Sequence, residues 1–244
     1  VYELFAATAR ILYGFDAASG SLPRLFQADF NRTYAADMTL APLEALTISG
    51  FIAKTETPGL RGNDTGAYLN ATYLDAKWRI YGEYADLDDN FNPEVGFVPR
   101  TGITMTKLHL ERSPRPDWLG IRVLTPMVNW TYYTDQTGRR VSDRWHFMNG
   151  TRFDNGAYLN IWYNRYFERL DDVFTLGGVD IPVGDYTFGE WRVSFTSNPA
   201  RRLYYGLTWA PQEFYDGTRQ EGQVSLGARV TDRLSAEGSY TRNE

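Results

Sequence analysis

The 244-residue sequence has no cysteine, which removes disulfides, zinc–thiolate centres and thiol nucleophiles from consideration. Histidine is almost as scarce: the two present, His109 and His146, are too few for an imidazole-based transition-metal centre. No stretch approaches the roughly 18 consecutive apolar residues that a membrane-spanning helix requires. Positive charge is also short, with 25 Lys and Arg against 30 Asp and Glu. The resulting net charge of −5 argues against nucleic acid as a partner, since phosphate backbones call for a basic face. Helix periodicity is nearly absent. Val1-Tyr2-Glu3-Leu4 has neither the basic start nor the apolar core of an export signal. The expectation is a chain whose signal has been removed, or one that begins inside a longer protein.

What the sequence does contain is aromatic residues and alternation. Rings make up 16% of the chain, and amphipathic rings suit a boundary between apolar and wet surroundings. In 188–197, Gly189, Trp191, Val193 and Phe195 face one way, and Glu190, Arg192, Ser194 and Thr196 the other. Val224, Leu226, Ala228 and Val230 oppose Gln223, Ser225, Gly227 and Arg229 in the same manner. Trp78, Ile80, Gly82 and Tyr84 oppose Lys77, Arg79, Tyr81 and Glu83. A period of two with one apolar and one polar face predicts β-strands. About thirteen are expected, over 2–14, 25–40, 45–55, 66–74, 76–86, 102–112, 118–133, 143–153, 156–168, 187–197, 202–210, 221–231 and 234–242. Many match the ~9–11 residues that cross a bilayer when tilted.

The connections alternate in length. Short turns are expected near Ala41-Pro42, Asp75, Pro114-Arg115-Pro116, Asp154-Asn155, Asn198-Pro199 and Asp232. Long loops are expected near 15–24, 56–65, 87–101, 134–142, 169–186 and 211–220. Outer-membrane barrels have short periplasmic turns and longer external loops. The polar face points the same way. Tyr158, Asn160, Trp162, Asn164 and Tyr166 share it, and a soluble sheet would leave these large rings in bulk water. The expected fold is therefore all-β, an antiparallel up-and-down transmembrane β-barrel forming one domain over 1–244. Single-chain bacterial barrels have an even number of strands and leave no open edge in lipid. With an odd count here, the expectation is an incomplete segment of a larger barrel.

The string Phe91-Asn92-Pro93-Glu94-Val95-Gly96-Phe97-Val98-Pro99-Arg100 resembles the signature of a family of uncharacterised bacterial outer-membrane proteins. Phe51 to Gly59 and Ile181 to Arg192 resemble further elements of that family. Its members carry an N-terminal domain similar to a family-nine carbohydrate-binding module, followed by a large membrane barrel. The resemblance implies an outer-membrane barrel in Gram-negative bacteria, and it implies no catalytic residues. The sequence departs from the family by lacking the carbohydrate-binding domain and the final strands, so no sugar-binding role transfers to these residues.

Three groups of residues merit attention as sites. Asp86, Asp88 and Asn90 have the alternate spacing with which a calcium loop begins. Phe91, however, stands where such a loop needs Gly, and Phe97 where it needs Glu. The competing and favoured reading is a solvated Asp/Asn/Pro turn, with Phe91, Val95 and Phe97 tucking an ordered loop into the barrel mouth. The second group is the expected lumen face, where Lys77, Arg79, Glu83, Lys107, His109, Glu111, Glu190 and Arg192 mix both signs. Mixed signs suit internal pairing better than the single-sign rings of a selective pore. Third, the expected outer loops are acidic (Asp16, Glu56, Asp64, Asp171, Asp172, Asp180, Asp185, Glu213 and Asp216). Loop solubility explains that more simply than cation-bridged contact with lipopolysaccharide. Ser142, Asp143 and His146 lie close in sequence, but positions 143 and 146 of a strand face opposite ways.

The expected partners are the lipid bilayer, lipopolysaccharide and proteins of an envelope complex, without nucleic acid. No cofactor is expected beyond Ca2+ in the Asp86 loop. The leading functional expectation is passage or assembly in the outer membrane. The runner-up is a non-transporting scaffold that anchors a glycan-binding domain, and an outer-membrane hydrolase ranks third.

Overall fold

The computed structural model describes residues 8–13, 30–94, 98, 100–215, 217–231 and 234–243, with the backbone alone at 8–13. Its strands are β1 (Thr8–Tyr13), β2 (Arg32–Leu43), β3 (Leu46–Glu56), β4 (Thr65–Leu74), β5 (Trp78–Leu87), β6 (Ile103–Arg112), β7 (Ile121–Asp135), β8 (Arg140–Phe153), β9 (Tyr158–Leu170), β10 (Phe174–Leu176), β11 (Val179–Ile181), β12 (Gly184–Thr196), β13 (Leu203–Phe214), β14 (Gly217–Thr231) and β15 (Leu234–Asn243). No helix occurs among the described residues. Thirteen strands make one antiparallel up-and-down sheet in chain order, β1 to β9 followed by β12 to β15. Among the described residues, β1 and β15 are its two edges. The expected up-and-down sequential pairing is observed in this sheet, and β10 and β11 form a separate two-stranded sheet that was not expected.

Register explains the alternation. Asn164 on β9 lies opposite His146 on β8 and Glu190 on β12, while Tyr163 lies opposite Phe147 and Trp191. Each pair keeps like residues on one face, as antiparallel pleating requires.

Five expectations about connections need correction. β2 runs through Pro42 to Leu43, and the turn falls at Glu44 and Ala45. Proline, with no N–H to donate, is tolerated there because the β2–β3 register shifts between Leu40 and Leu43. The regions 134–142 and 211–220 are not long loops: β7 and β8 leave only 136–139 between them, and β13 and β14 only 215–216. Pro211 stays in the strand opposite Gln220, and the β12–β13 ladder is interrupted beside it. The loop 169–186 contains the hairpin β10–β11, closed by Gly177 (φ 59°) and Gly178 (φ 87°). A two-residue Gly-Gly connection is a type I′ hairpin signal. The connection after β6 spans 113–120, longer than a tight turn. The strand start before residue 8 and the expected loop at 15–24 lie outside the described residues.

The chain divides into two compact units. Unit 1 comprises residues 1–73, 81–107 and 133–140, and unit 2 comprises 74–80, 108–132 and 141–244.

Candidate functional site

Burial in this protein is inverted relative to a water-soluble sheet. Thr33, Thr55, His109, Ser142 and Asn164 are buried, whereas Ile52, Leu110, Phe147, Trp191, Leu207 and Leu226 are exposed. The first set belongs to the polar face and the second to the apolar one. In water, each fully exposed apolar side chain of this size forgoes about 1.5–3 kcal/mol of transfer free energy. A continuous band of them is a face built for an apolar solvent.

In unit 2 the polar face carries a connected network. His146 Nδ1 is hydrogen-bonded to Asn164 Oδ1. The Asn164 amide donates to Tyr166 Oη at 2.9 Å and to Glu190 Oε2 at 3.3 Å, and the Tyr166 hydroxyl donates to the same carboxylate at 3.1 Å. Arg192 donates to Glu221 at 3.0 Å, with Arg219 3.6 Å away on the other oxygen of that carboxylate. The Arg192 guanidinium lies 5.9 Å from the Trp162 ring centroid. Arg79 pairs with Glu111 at 3.5 Å, and His109 Nε2 lies 3.9 Å from the other Glu111 oxygen. Gly150 gives the space this packing needs, since a Cβ there would meet Tyr158 Oη at 2.5 Å and Thr125 Oγ1 at 2.7 Å.

In unit 1 the Lys107 ammonium donates to Glu83 at 3.2 Å and sits 5.2 Å from the Tyr81 ring centroid. In the same unit the loop at 88–94 folds back onto the polar face. Phe91 is buried against Gly66 of β4, where a Cβ would meet the ring at 2.7 Å. The Asn92 backbone N–H donates to Thr55 Oγ1 at 3.1 Å, and its backbone carbonyl accepts from Asn31 Nδ2 at 2.7 Å. Asn31 also donates to Thr57 Oγ1 at 2.9 Å, so segments 51–59 and 88–94 are tied together. Thr55 is the most deeply buried of these, at 1% exposure. Val95, Gly96 and Phe97 lie outside the described residues. Pro93 is half-buried, and Glu94 and Arg100 are exposed.

Asp86, Asp88 and Asn90 each take different hydrogen-bond partners. Asp86 accepts from Gln136 at 3.1 Å and Thr104 at 3.3 Å. Asp88 accepts from the Thr65 backbone and hydroxyl at 3.0 and 2.6 Å, and Asn90 donates to the Gly62 carbonyl at 2.9 Å. Local hydrogen bonds engage each side chain separately. No group of three or more His, Cys, Asp or Glu suited to a metal occurs among the described residues.

Of the eight expected polar-face residues, Lys77 alone falls outside a strand. It is exposed in the turn that Asp75 Oδ1 closes by accepting from the backbone N–H groups of Lys77 and Trp78. Ser142 and His146 share a face, with Asp143 in the opposite phase, so the structure assembles no triad from them. Among the acidic loop residues, Asp64 pairs with Lys54 and Asp185 with Arg169, while Asp180 accepts from Thr175.

Sequence reasoning missed the aromatic cluster around Tyr215, which has a positive φ of 54° at the β13–β14 tip. Its ring lies 4.9 Å from Tyr186, 5.3 Å from Phe188 and 4.8 Å from Phe214. Burial, with Glu168 nearby, pushes the Tyr215 phenol above its ordinary value. A signal was present in the run Phe214-Tyr215-Asp216-Gly217, whose Asp-Gly marks a tight turn.

Comparison with protein-family models and with curated proteins finds no match. Among solved structures, the fold matches outer-membrane porin barrels. The crystal structure of Acinetobacter baumannii OccAB3 is 14% identical, with 89% of this chain and 64% of that chain covered and a TM-score of 0.50. Pseudomonas aeruginosa OccK11 (OpdR) is 15% identical, covering 91% of this chain and 67% of that one at a TM-score of 0.51. Pseudomonas aeruginosa OccK3 (OpdO) is 14% identical, covering 96% and 70% at a TM-score of 0.50. This chain spans about two thirds of the length of these structural neighbours. The likeness is one of fold: the wall of a transmembrane β-barrel.

Proposed function

We propose that this chain forms wall strands of a barrel in the Gram-negative outer membrane, and that its polar face lines an aqueous passage for polar solutes. One observation carries the reading: the same strands bury a hydrogen-bonded polar network on one face and expose large apolar side chains on the other. A closed barrel satisfies backbone groups within lipid, and its interior can hold water. The loop at 88–94 packs on the polar face, so it narrows the passage from within. Kinship with outer-membrane proteins that carry a family-nine-like carbohydrate-binding domain is part of this reading. It is supported by the direct ties between the two segments that resemble that family, 51–59 and 88–94.

The test is conductance of the complete protein in planar bilayers. Discrete channel openings are expected. Glu83→Lys, which reverses a charge on the polar face, is expected to shift ion selectivity toward anions. Silence at every voltage, or unchanged selectivity in that variant, would overturn the proposal. Phe91→Ala should release the loop and raise the unit conductance.

A further inference from the structure

The apolar face of unit 2 carries a sizeable cavity. It is an open groove of about 650 Å³, lined by Leu110, Pro126, Val128, Phe147, Ile161 and Trp191, with Trp78 and Arg112 also on its rim. That volume falls within the roughly 300–1,000 Å³ usual for ligand sites. Its floor is apolar by register: Phe147, Tyr163 and Trp191 are neighbours across β8, β9 and β12, and the Tyr163 and Trp191 rings lie 4.6 Å apart. Pro126 brings to the middle of β7 a residue with no N–H to donate. Next to it the Thr125 hydroxyl donates to the Gly150 carbonyl on β8 at 3.0 Å.

The groove is chemically different at one rim. Arg112, the last residue of β6, lies with its guanidinium 5.2 Å from the Trp78 ring centroid. No carboxylate pairs with it among the described residues. The Ser113 backbone N–H donates to the Lys77 carbonyl at 2.9 Å, which places a second cationic residue in the adjoining turn. An apolar trough with an amphipathic ring and a cation at one rim matches a lipid in both parts. The acyl chain requires the trough, and an anionic headgroup requires the cation. Trp and Tyr belts mark the depth at which headgroups lie.

We propose that this groove is a specific site for an anionic phospholipid of the periplasmic leaflet, with its phosphate at Arg112 and an acyl chain along Leu110, Phe147 and Trp191. The leaflet follows from the short-turn end at which Lys77 and Arg112 lie, and the proposal rests on the membrane reading above. Each cation near a membrane surface favours an anionic headgroup by about five-fold. Arg112 is therefore expected to account for a preference of that size.

The experiment is native mass spectrometry of the full chain in detergent, titrated with phosphatidylglycerol and with phosphatidylcholine of matched acyl chains. The wild type is expected to bind phosphatidylglycerol preferentially, and Arg112→Gln to lose about five-fold of that preference. Arg112→Lys should retain it, and Phe147→Ser should weaken both lipids alike. If Arg112→Gln does not fold, the wild type supplies the deciding measurement, because rising salt should erode the preference by screening. Equal binding of the two lipids by the wild type at every salt concentration would overturn the site, as would an Arg112→Gln chain that keeps the full preference. Flotation with vesicles reports separately on the membrane reading. A chain that floats but does not discriminate lipids refutes the site alone, and a chain that never floats refutes the reading beneath it.

Discussion

On strands β9 and β12, Asn164 is 5% exposed and Trp191 is 48% exposed. These residues sit one register step apart and face opposite ways, Asn164 opposite Glu190 and Trp191 opposite Tyr163. In a water-soluble sheet the values would be reversed. The comparison of the two faces teaches that hydrophobicity alone does not place a residue inside, because the outcome depends on which solvent each face meets. The polar face gains order from paired partners such as Lys107–Glu83 and Arg192–Glu221. The apolar face gains it from removal from water, which lipid or detergent supplies.

The largest expected break in this comparison comes from the apolar residue that lies on the polar face. Phe91 packs against Gly66, and Phe91→Ala is expected to cost about 3–5 kcal/mol, as for other large-to-small changes at buried rings. Urea titration of the chain refolded in phospholipid vesicles measures it. A loss below about 1 kcal/mol, far under the usual range for a buried ring, would mean that the loop is held by Thr55 and Asn31 alone.

Charge placement sharpens the contrast more directly. Leu226 and Ser225 are adjacent on β14, with Leu226 64% exposed on the apolar face. Leu226→Arg is expected to destabilise by about 2–4 kcal/mol if that position lies near the bilayer midplane. Ser225→Arg, on the polar face, should fall within about 1 kcal/mol, as substitutions away from buried features do. Equal costs in the same titration would refute the assignment of faces.

A smaller effect is expected for the pair on the polar face. Lys107→Met removes the ammonium from Glu83, and a part-exposed ion pair contributes only about 0.2–1 kcal/mol. A cycle with Glu83→Gln isolates the coupling, and a value above about 2 kcal/mol would indicate a dry interior at that depth.

The smallest is confined to one hairpin tip. Asp135 ends β7 and accepts from Thr137 and Arg139, which hold its carboxyl well below the usual carboxylate range. β7 has 15 residues, more than the ~9–11 that span a bilayer, so its end lies beyond the lipid. A depressed folded pKa gives an ordering contribution that is present above the unfolded value of 3.8. That contribution is lost as pH falls through the folded value. NMR order parameters of 136–138 should therefore hold from neutral pH to about 4 and decline only in stronger acid. Asp135→Asn should remove that dependence.

Much of the architecture was readable from residues such as Trp78, Ile80, Tyr84, Val224 and Leu226, because a period of two survives whatever solvent each face meets. Loop boundaries were less readable. Pro42 suggested a break, yet it remains in a strand, as does Pro211, where a register shift or an interrupted ladder spares the missing N–H. The hairpin at Gly177-Gly178 was legible in principle, but its strands of three residues are too short for alternation to register. Arg79, Glu83, Lys107, Glu111, Glu190 and Arg192 were placed on the polar face by phase alone. Their partners across strands could not be read, since pairing depends on register between segments far apart in the chain.

The sequence by itself determined the strands, their two unlike faces and the crossing of an apolar barrier, because alternation is local and chain geometry converts it directly into faces. Tertiary structure alone decided three things: which partners Asp86, Asp88 and Asn90 each take, that Phe91 turns inward onto Gly66, and that His146, Asn164, Tyr166 and Glu190 meet. Each depends on contacts between strands or loops separated in sequence, and register and loop path set those contacts.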